Sequence, residues 1–159
     1  TATVTIRHPG RRMRVDFATC RKETYAQPAA YPRVVRGTLR DDLFRRDFTI
    51  NAIAVALAPE RFGTLIDLFG GVRDLRARRL RILHAESFLD DPSRFLRGIR
   101  FAQRFGFRWE PLTERAARVA MAAGALGWLN AGRLRKEFDR MAQEPDPSAC
   151  LRALADVAL

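Results

Sequence analysis

Asp91 and Arg94, three residues apart in the segment DDPSR, can present a hydrogen-bond acceptor beside a donor fork, because residues at i and i+3 are neighbours on a helix surface. Such a pair fits the edge of a nucleobase. Adenine and cytosine each carry an exocyclic amino donor next to a ring-nitrogen acceptor, so a carboxylate takes the amino group and a guanidinium takes the ring nitrogen. Uracil and guanine show the opposite order and leave polar groups unpaired. The same residues also read more simply: Asp90 and Asp91 suit a helix N-terminus, and Arg94 suits a surface ion pair. Arg97 and Arg100 continue the basic face, either to offset a triphosphate or as solvated helical arginines.

A second constellation lies upstream in RRDFTINA. Asp47 and Asn51 are i,i+4, and a carboxylate beside an amide can hydrogen-bond the vicinal hydroxyls of a ribose; the plainer reading is the wet face of a capped helix. Asp16 alternates with Val15 and Phe17 along a strand. A carboxylate so displayed is one element of a two-metal phosphoryl-transfer site, or an exposed strand residue. Asp67 precedes the Gly70-Gly71 pair, which suits a strand-to-helix turn as well as a ligand contact. Arg133 and Glu137 are spaced for a surface ion pair, and His8 and His84 have no triad or ligand spacing.

The elements that must hold these residues fall into two parts. Thr1 to Arg7 and Arg12 to Thr19 read as strands around a turn at His8-Pro9-Gly10, and Lys22 to Thr38 reads as a long exposed loop. Asp41 or Asp42 caps a helix running through Arg45 to Leu57, which buries Phe48, Ile50, Ile53 and Ala54; Thr64 to Leu68 is a short buried strand. From Asp90 onward the strand signals give way to helical periodicity at Asp90 to Phe105, Leu112 to Ala123, Asn130 to Ala142 and Pro147 to Leu159. Trp109, Trp128, Phe105 and Phe107 suit core packing better than base stacking. The fold class is α+β, with a strand-containing unit over 1–83 and an all-helical unit over 84–159.

Composition bounds the partners. The 159 residues are 47% hydrophobic, enough for a core, and carry 29 basic against 18 acidic side chains for a formal charge of +11. That balance favours a polyanion as partner. Only Lys22 and Lys136 are lysines; the rest are arginines, suited to bidentate phosphate or base contacts. Cys20 and Cys150 form neither a disulfide framework nor a zinc spacing, which fits a cytoplasmic setting, and no stretch has the length of a membrane span.

Taken together, RRDFTINA, IDLFGG with Asp74, and DDPSRFLRGIRF resemble the nucleotide-binding motifs of the class II tRNA nucleotidyltransferase and bacterial poly(A) polymerase family. The resemblance covers nearly the whole chain. It implies the C-terminal part of a polymerase-β-like nucleotidyltransferase head, a mixed sheet with helices, followed by an all-helical neck. It makes Asp16 the third catalytic, metal-binding carboxylate, places Asp47 and Asn51 on the ribose and Arg46 near the phosphates, and makes Asp91 and Arg94 the protein template for incoming CTP or ATP. Asp90 stands where the family more often has Glu. GRLRKEF is similar to the family's Arg-x-x-x-Glu motif through Arg133 and Glu137. The activity implied is addition of A or C to the 3′ end of tRNA or another RNA with Mg²⁺; CCA addition, A addition and poly(A) synthesis share these motifs, and a non-catalytic RNA-binding helical module is the competing class. The family's Gly-Gly and Asp-x-Asp metal segment is not in this sequence, so the chain as written is expected to be an internal fragment that binds nucleotide without transferring it.

Overall fold

The computed structural model of the chain describes residues 1–8 and 10–158. Strands β1 (Ala2–His8) and β2 (Arg11–Phe17) pair antiparallel, as alternation predicts; Pro9 of the expected turn lies outside the described residues. One face of the hairpin carries Val4, Ile6, Met13, Val15 and Phe17, and the other carries Asp16 opposite Thr3.

The segment read as a loop, Lys22 to Thr38, instead holds a second hairpin, β3 (Arg21–Thr24) with β4 (Arg33–Arg36). Its strands are short and mostly charged, so they give no hydrophobic alternation. They are fixed by polar contacts: the Arg21 N–H donates to Asp42 Oδ1 at 3.3 Å, and Glu23 takes ion pairs from Arg21 at 2.8 Å and Arg45 at 3.4 Å.

The expected helix over Arg45 to Leu57 is also corrected. Helix α1 spans Leu39–Phe44, ahead of that segment, and its cap is Thr38 rather than Asp41 or Asp42, with Asp41 closing a capping box. Beyond it come a 3-10 turn at Thr49–Asn51 and strand β5 (Ile53–Val55), paired antiparallel with β6 (Leu65–Asp67). The β-branched residues Thr49, Ile50, Ile53 and Val55 disfavour a continuous helix. Tertiary contacts decide the rest. Thr49 Oγ1 donates to the buried Asp74 carboxylate at 2.7 Å, the Thr49 N–H donates to the Arg81 carbonyl at 2.9 Å, and Phe48 bridges to Ile82.

Asp67 ends β6 and caps α2 (Gly71–Arg76), accepting from the Gly71 N–H at 2.7 Å and the Val72 N–H at 2.9 Å. Partial burial raises its pKa, but the converging backbone donors hold it below the ordinary carboxylate value. The turn reading of the glycine pair is therefore the one observed. Gly70 has φ of +77°, and a Cβ on Gly71 would lie 2.2 Å from the Thr49 carbonyl oxygen, so only glycine lets α2 sit against the 3-10 turn.

The helix expected from Asp90 to Phe105 is two helices, α3 (Ser87–Asp90) and α4 (Ser93–Phe105), which follow strand β7 (Arg79–Leu80). Asp91 breaks the run with φ −141° and ψ 90°, the extended backbone that a following proline imposes. Strand pairing also continues past Asp90, contrary to expectation: β8 (Arg108–Trp109) lies parallel to β7. Two residues are too few to leave a periodic signal. Helices α5 (Pro111–Ala122), α6 (Ala131–Ala142) and α7 (Pro147–Ala158) match the periodicity closely, apart from Leu159, which lies outside the described residues.

Helix α4 is the centre of the molecule. Phe95, Leu96, Ile99 and Ala102 on its inner face join Phe48, Leu80, Ile82 and Phe88 in one core, closed by residues from α5, α6 and α7. Trp109 packs 5.9 Å from both Phe88 and Phe95, as a core residue, while Trp128 and Phe105 are exposed. The core runs across residue 83 without interruption, and this is what brings RRDFTINA against α4. No helix among the described residues is long and apolar enough to cross a membrane.

Candidate nucleotide-binding cleft

A cleft of about 710 Å³ opens where the β3–β4 hairpin, the Arg45–Asn51 segment, α4 and α6 meet. It gathers Arg46, Asp47, Asn51, Asp91, Arg94 and Arg97, six of the residues singled out above. The first of these pairings needs no helix. Asp47 and Asn51 meet across the 3-10 turn, with Asn51 Nδ2 donating to Asp47 Oδ1 at 2.8 Å.

Asp47 is buried and fully occupied. Its Oδ1 also accepts from the Phe48 N–H at 3.0 Å, and its Oδ2 accepts from Arg97 Nε at 2.7 Å and pairs with Nη2 at 2.5 Å. Arg46 sits beside this pair, half-exposed, donating to the Asn51 carbonyl at 3.3 Å.

Asp91 and Arg94 are adjacent by a different route from the one the spacing suggests. Because Asp91 lies outside α4, its side chain turns back over the helix start: Oδ1 accepts from the Ser93 N–H at 3.0 Å, from Ser93 Oγ at 2.6 Å and from Arg133. Its other oxygen, Oδ2, has no donor among the described residues, and Asp91 lines the cleft. Arg94 is 4% exposed and anchored from behind, Nη1 donating to Ser87 Oγ at 2.8 Å and Nη2 to the Arg45 carbonyl at 2.7 Å. A guanidinium has five N–H groups, so an edge remains for a ligand. The cleft is therefore lined both by a carboxylate with one oxygen free of donors among the described residues and by a rigidly held guanidinium.

Two candidates lie elsewhere. Arg100 is not among the cleft residues and enters a buried pair with Glu144 at 3.2 Å, shared with Arg104, while its planar group lies 4.7 Å from the Phe101 ring; its role in this structure is to tie α4 to the turn between α6 and α7. Arg97 and Arg100 are neighbours three residues apart on α4 and both lie over the Phe101 ring, but Arg97 reaches Asp47 while Arg100 reaches Glu144, a distinction that a count of basic residues does not make. Asp16 is exposed on β2, accepting from Thr3 Oγ1 at 2.6 Å and from Arg14 Nε at 3.4 Å. Among the described residues no three His, Cys, Asp or Glu side chains converge on a metal position, so Asp16 stands alone.

Sequence reasoning did not place several cleft residues there. Arg133 does not form the expected surface pair with Glu137; it reaches across to Asp91 and to the Ala29 carbonyl, while Glu137 is buried and pairs with Arg140 at 2.5 Å. Glu23 and Tyr25 come from the hairpin that was read as a loop. Burial pushes the Tyr25 hydroxyl up to about 12, and it stays protonated and donates to Glu23 at 3.1 Å. The alternation Glu23-Thr24-Tyr25 after the basic pair Arg21-Lys22 is the signal the sequence offers for this wall.

This geometry has close relatives. Residues 1–81 match the family described as Poly A polymerase head domain. The A-adding tRNA nucleotidyltransferase of Aquifex aeolicus is 47% identical over 127 residues, covering 80% of this chain and 15% of the relative; that of Geobacter sulfurreducens is 44% identical over 147 residues, covering 92% and 17%. The chain thus spans less than a fifth of the length of these two relatives. Among solved structures, a CCA-adding enzyme in apo form II superposes with a TM-score of 0.88 at 48% identity, covering 91% of this chain and 34% of the other. The Thermotoga maritima CCA-adding enzyme complexed with tRNA superposes with a TM-score of 0.73 at 49% identity, covering 76% and 29%. With its first 81 residues matched and the cleft motifs in register on one core, the chain belongs to the Poly A polymerase head domain family.

Proposed function

We propose that the protein carrying this chain is a template-independent RNA 3′-terminal nucleotidyltransferase that adds A, C or both from ATP and CTP to tRNA 3′ ends. In this reading residues 1–83 are part of its head, residues 84–159 are a nucleotide-selecting neck, and it works in the cytoplasm. The observation that carries it is that Asp91, with Oδ2 free of donors among the described residues, and the anchored Arg94 guanidinium line the same cleft. That order of acceptor and donor suits the amino and ring-nitrogen groups of adenine and cytosine. Asp47 and Asn51, on the neighbouring wall, are assigned to the ribose, and Arg46 and Arg97 to the triphosphate. The names of the relatives support the choice of tRNA as acceptor.

The reaction forms a bond from the RNA 3′-hydroxyl oxygen to the α-phosphorus and breaks the bond from that phosphorus to the α,β-bridging oxygen, releasing pyrophosphate. In this family reading Mg²⁺ assists and Asp16 is one ligand. A single exposed carboxylate, hydrogen-bonded by Thr3 and flanked by Arg14, does not by itself make an ion site. The residues of this chain bind and orient the nucleotide.

Calorimetric titration with the four ribonucleoside triphosphates tests the reading. ATP and CTP should bind more tightly than GTP and UTP, and Asp91→Ala should erase the difference. Equal affinities in the unaltered protein would replace the template by a simple phosphate-binding arginine cluster, the behaviour of a non-catalytic RNA-binding module.

A further inference from the structure

Building on the ribose assignment of Asp47, we infer that Arg97 is a built-in occupant of the ribose subsite, which the triphosphate must draw away before the sugar can be read. An ionised carboxylate has about four acceptor positions. Those of Asp47 are taken by the Phe48 N–H, Asn51 Nδ2, and Arg97 Nε and Nη2, at 3.0, 2.8, 2.7 and 2.5 Å, and the residue is only 6% exposed. A ribose hydroxyl has no acceptor there until one donor leaves.

The three donor residues are not equally free to leave. The Phe48 N–H belongs to main chain fixed by the Phe48–Ile82 bridge, in a residue whose ring is wholly buried. Asn51 is a neutral amide held next to Asp47 by the 3-10 turn. Arg97 is the cationic one, with a side chain 30% exposed on the cleft, beside Arg46 and 5.6 Å from the Phe101 ring. It alone gains a stronger partner when a triphosphate enters, since phosphate offers guanidinium the same bidentate geometry with more charge. Nucleotide binding is then an exchange: Arg97 passes from Asp47 to phosphate, and the ribose hydroxyls take the two vacated positions on Oδ2.

The exchange makes sugar selection conditional on the phosphates. A nucleoside without phosphate leaves Arg97 where it is, and its 2′-hydroxyl meets a saturated carboxylate. ATP should be preferred over dATP by about tenfold, the equivalent of one hydrogen bond to a charged group, whereas adenosine and 2′-deoxyadenosine should bind equally.

The test compares these four ligands on the unaltered protein and on Arg97→Met, whose Asp47 is open. In the variant, adenosine should gain a preference of about fivefold over 2′-deoxyadenosine. A second measurement needs no variant: the Arg97 Nε–H resonance should move when inorganic tripolyphosphate is added and stay in place with saturating adenosine. Discrimination between the two nucleosides as large as that between ATP and dATP, or an Arg97 resonance unmoved by saturating tripolyphosphate, would overturn the inference. Failure of the proposed function shows differently, as loss of the ATP and CTP preference over GTP and UTP, which none of these adenine ligands measures.

Discussion

Asp91→Asn is the most informative single change, because the structure fixes which way the new amide must face. The substitution keeps the shape and removes one charge. In the native protein Oδ1 accepts from the Ser93 N–H at 3.0 Å, from Ser93 Oγ at 2.6 Å and from Arg133. An asparagine meets those donors only with its carbonyl oxygen, since an NH₂ placed there would oppose the Ser93 N–H and a guanidinium. The NH₂ therefore takes the place of Oδ2. There it meets the exocyclic amino group of ATP or CTP, donor against donor. Losing one charge-assisted bond and leaving the ligand's amino group unpaired costs about 1.5–3 kcal/mol, or about 10- to 150-fold in affinity.

GTP and UTP present a carbonyl oxygen at that position and suffer no such loss, so the variant should bind the four nucleotides with compressed or inverted preference. The asparagine carbonyl still accepts from Ser93 and Arg133, so the substitution weakens the partly buried Asp91–Arg133 pair without leaving either partner unbonded, and should lower stability by about 1–2 kcal/mol. Folding is thus preserved while selectivity changes. Titration calorimetry on both proteins with all four nucleotides, alongside a thermal melt, measures the two effects separately. An Asn variant that still folds and has an ATP-to-GTP affinity ratio within about twofold of the native one would refute the orientation argument and the base-reading role with it.

Gly71→Ala should be severe, because its Cβ would lie 2.2 Å from the Thr49 carbonyl oxygen and 2.8 Å from the Ile53 side chain, and a backbone atom cannot step aside as a flexible side chain can. A loss of about 3 kcal/mol is expected in denaturant unfolding, with weakened ATP binding because the displaced 3-10 turn carries Asn51; Gly127→Ala, with nothing within 4 Å, is the neutral control. His84 gives a pH dependence. Burial, and then the neighbouring Arg94, lower its pKa from 6.5, against the opposing pull of Asp90 and Glu86. The unfolded chain therefore binds the proton more readily, and stability is lost as pH falls from about 6.5 towards the depressed folded value. His84→Gln should flatten that part of the acid limb in urea midpoints measured across pH; an unaltered slope would show that His84 is not the titrating group.

How much of this was legible in the sequence differs between the scaffold and the site. The last three helices carry strong apolar periodicity and true N-caps, Glu110 for α5 and Asn130 for α6, so local signals and tertiary demands agree there. The Arg45–Leu57 segment differs from its expected helix because its apolar residues also fit a helical period, while the forces that settle its form come from Asp74, Arg81 and Ile82, distant in sequence. The β3–β4 hairpin was invisible for a related reason: it is held by Glu23, Arg45 and Asp42 rather than by buried apolar side chains. Yet Asp47 and Asn51 meet at 2.8 Å, and Asp91 and Arg94 line the same cleft, even though neither pair shares a helix. Side-chain chemistry and short separation survive an error in local conformation, because a tight turn closes four residues as effectively as a helical turn does. What spacing could not supply was the partner across the cleft, Arg133 for Asp91 and Arg97 for Asp47.

Those partners change the meaning of the chain's charge. A formal +11 suggests a surface waiting for anions, but at the cleft six arginines stand against four carboxylates, Glu23, Asp47, Asp91 and Glu137, each of which already holds an arginine. A nucleotide entering such a cleft adds few new charge contacts and replaces existing ones. Its binding free energy is the difference between two well-made networks, which keeps affinity moderate and makes it sensitive to whether every displaced donor finds an equivalent. Base and sugar selection follow from that balance. A ligand that restores all the hydrogen bonds it interrupts can bind, and one that leaves Asp47 short of a donor meets the full penalty of an unpaired, buried carboxylate.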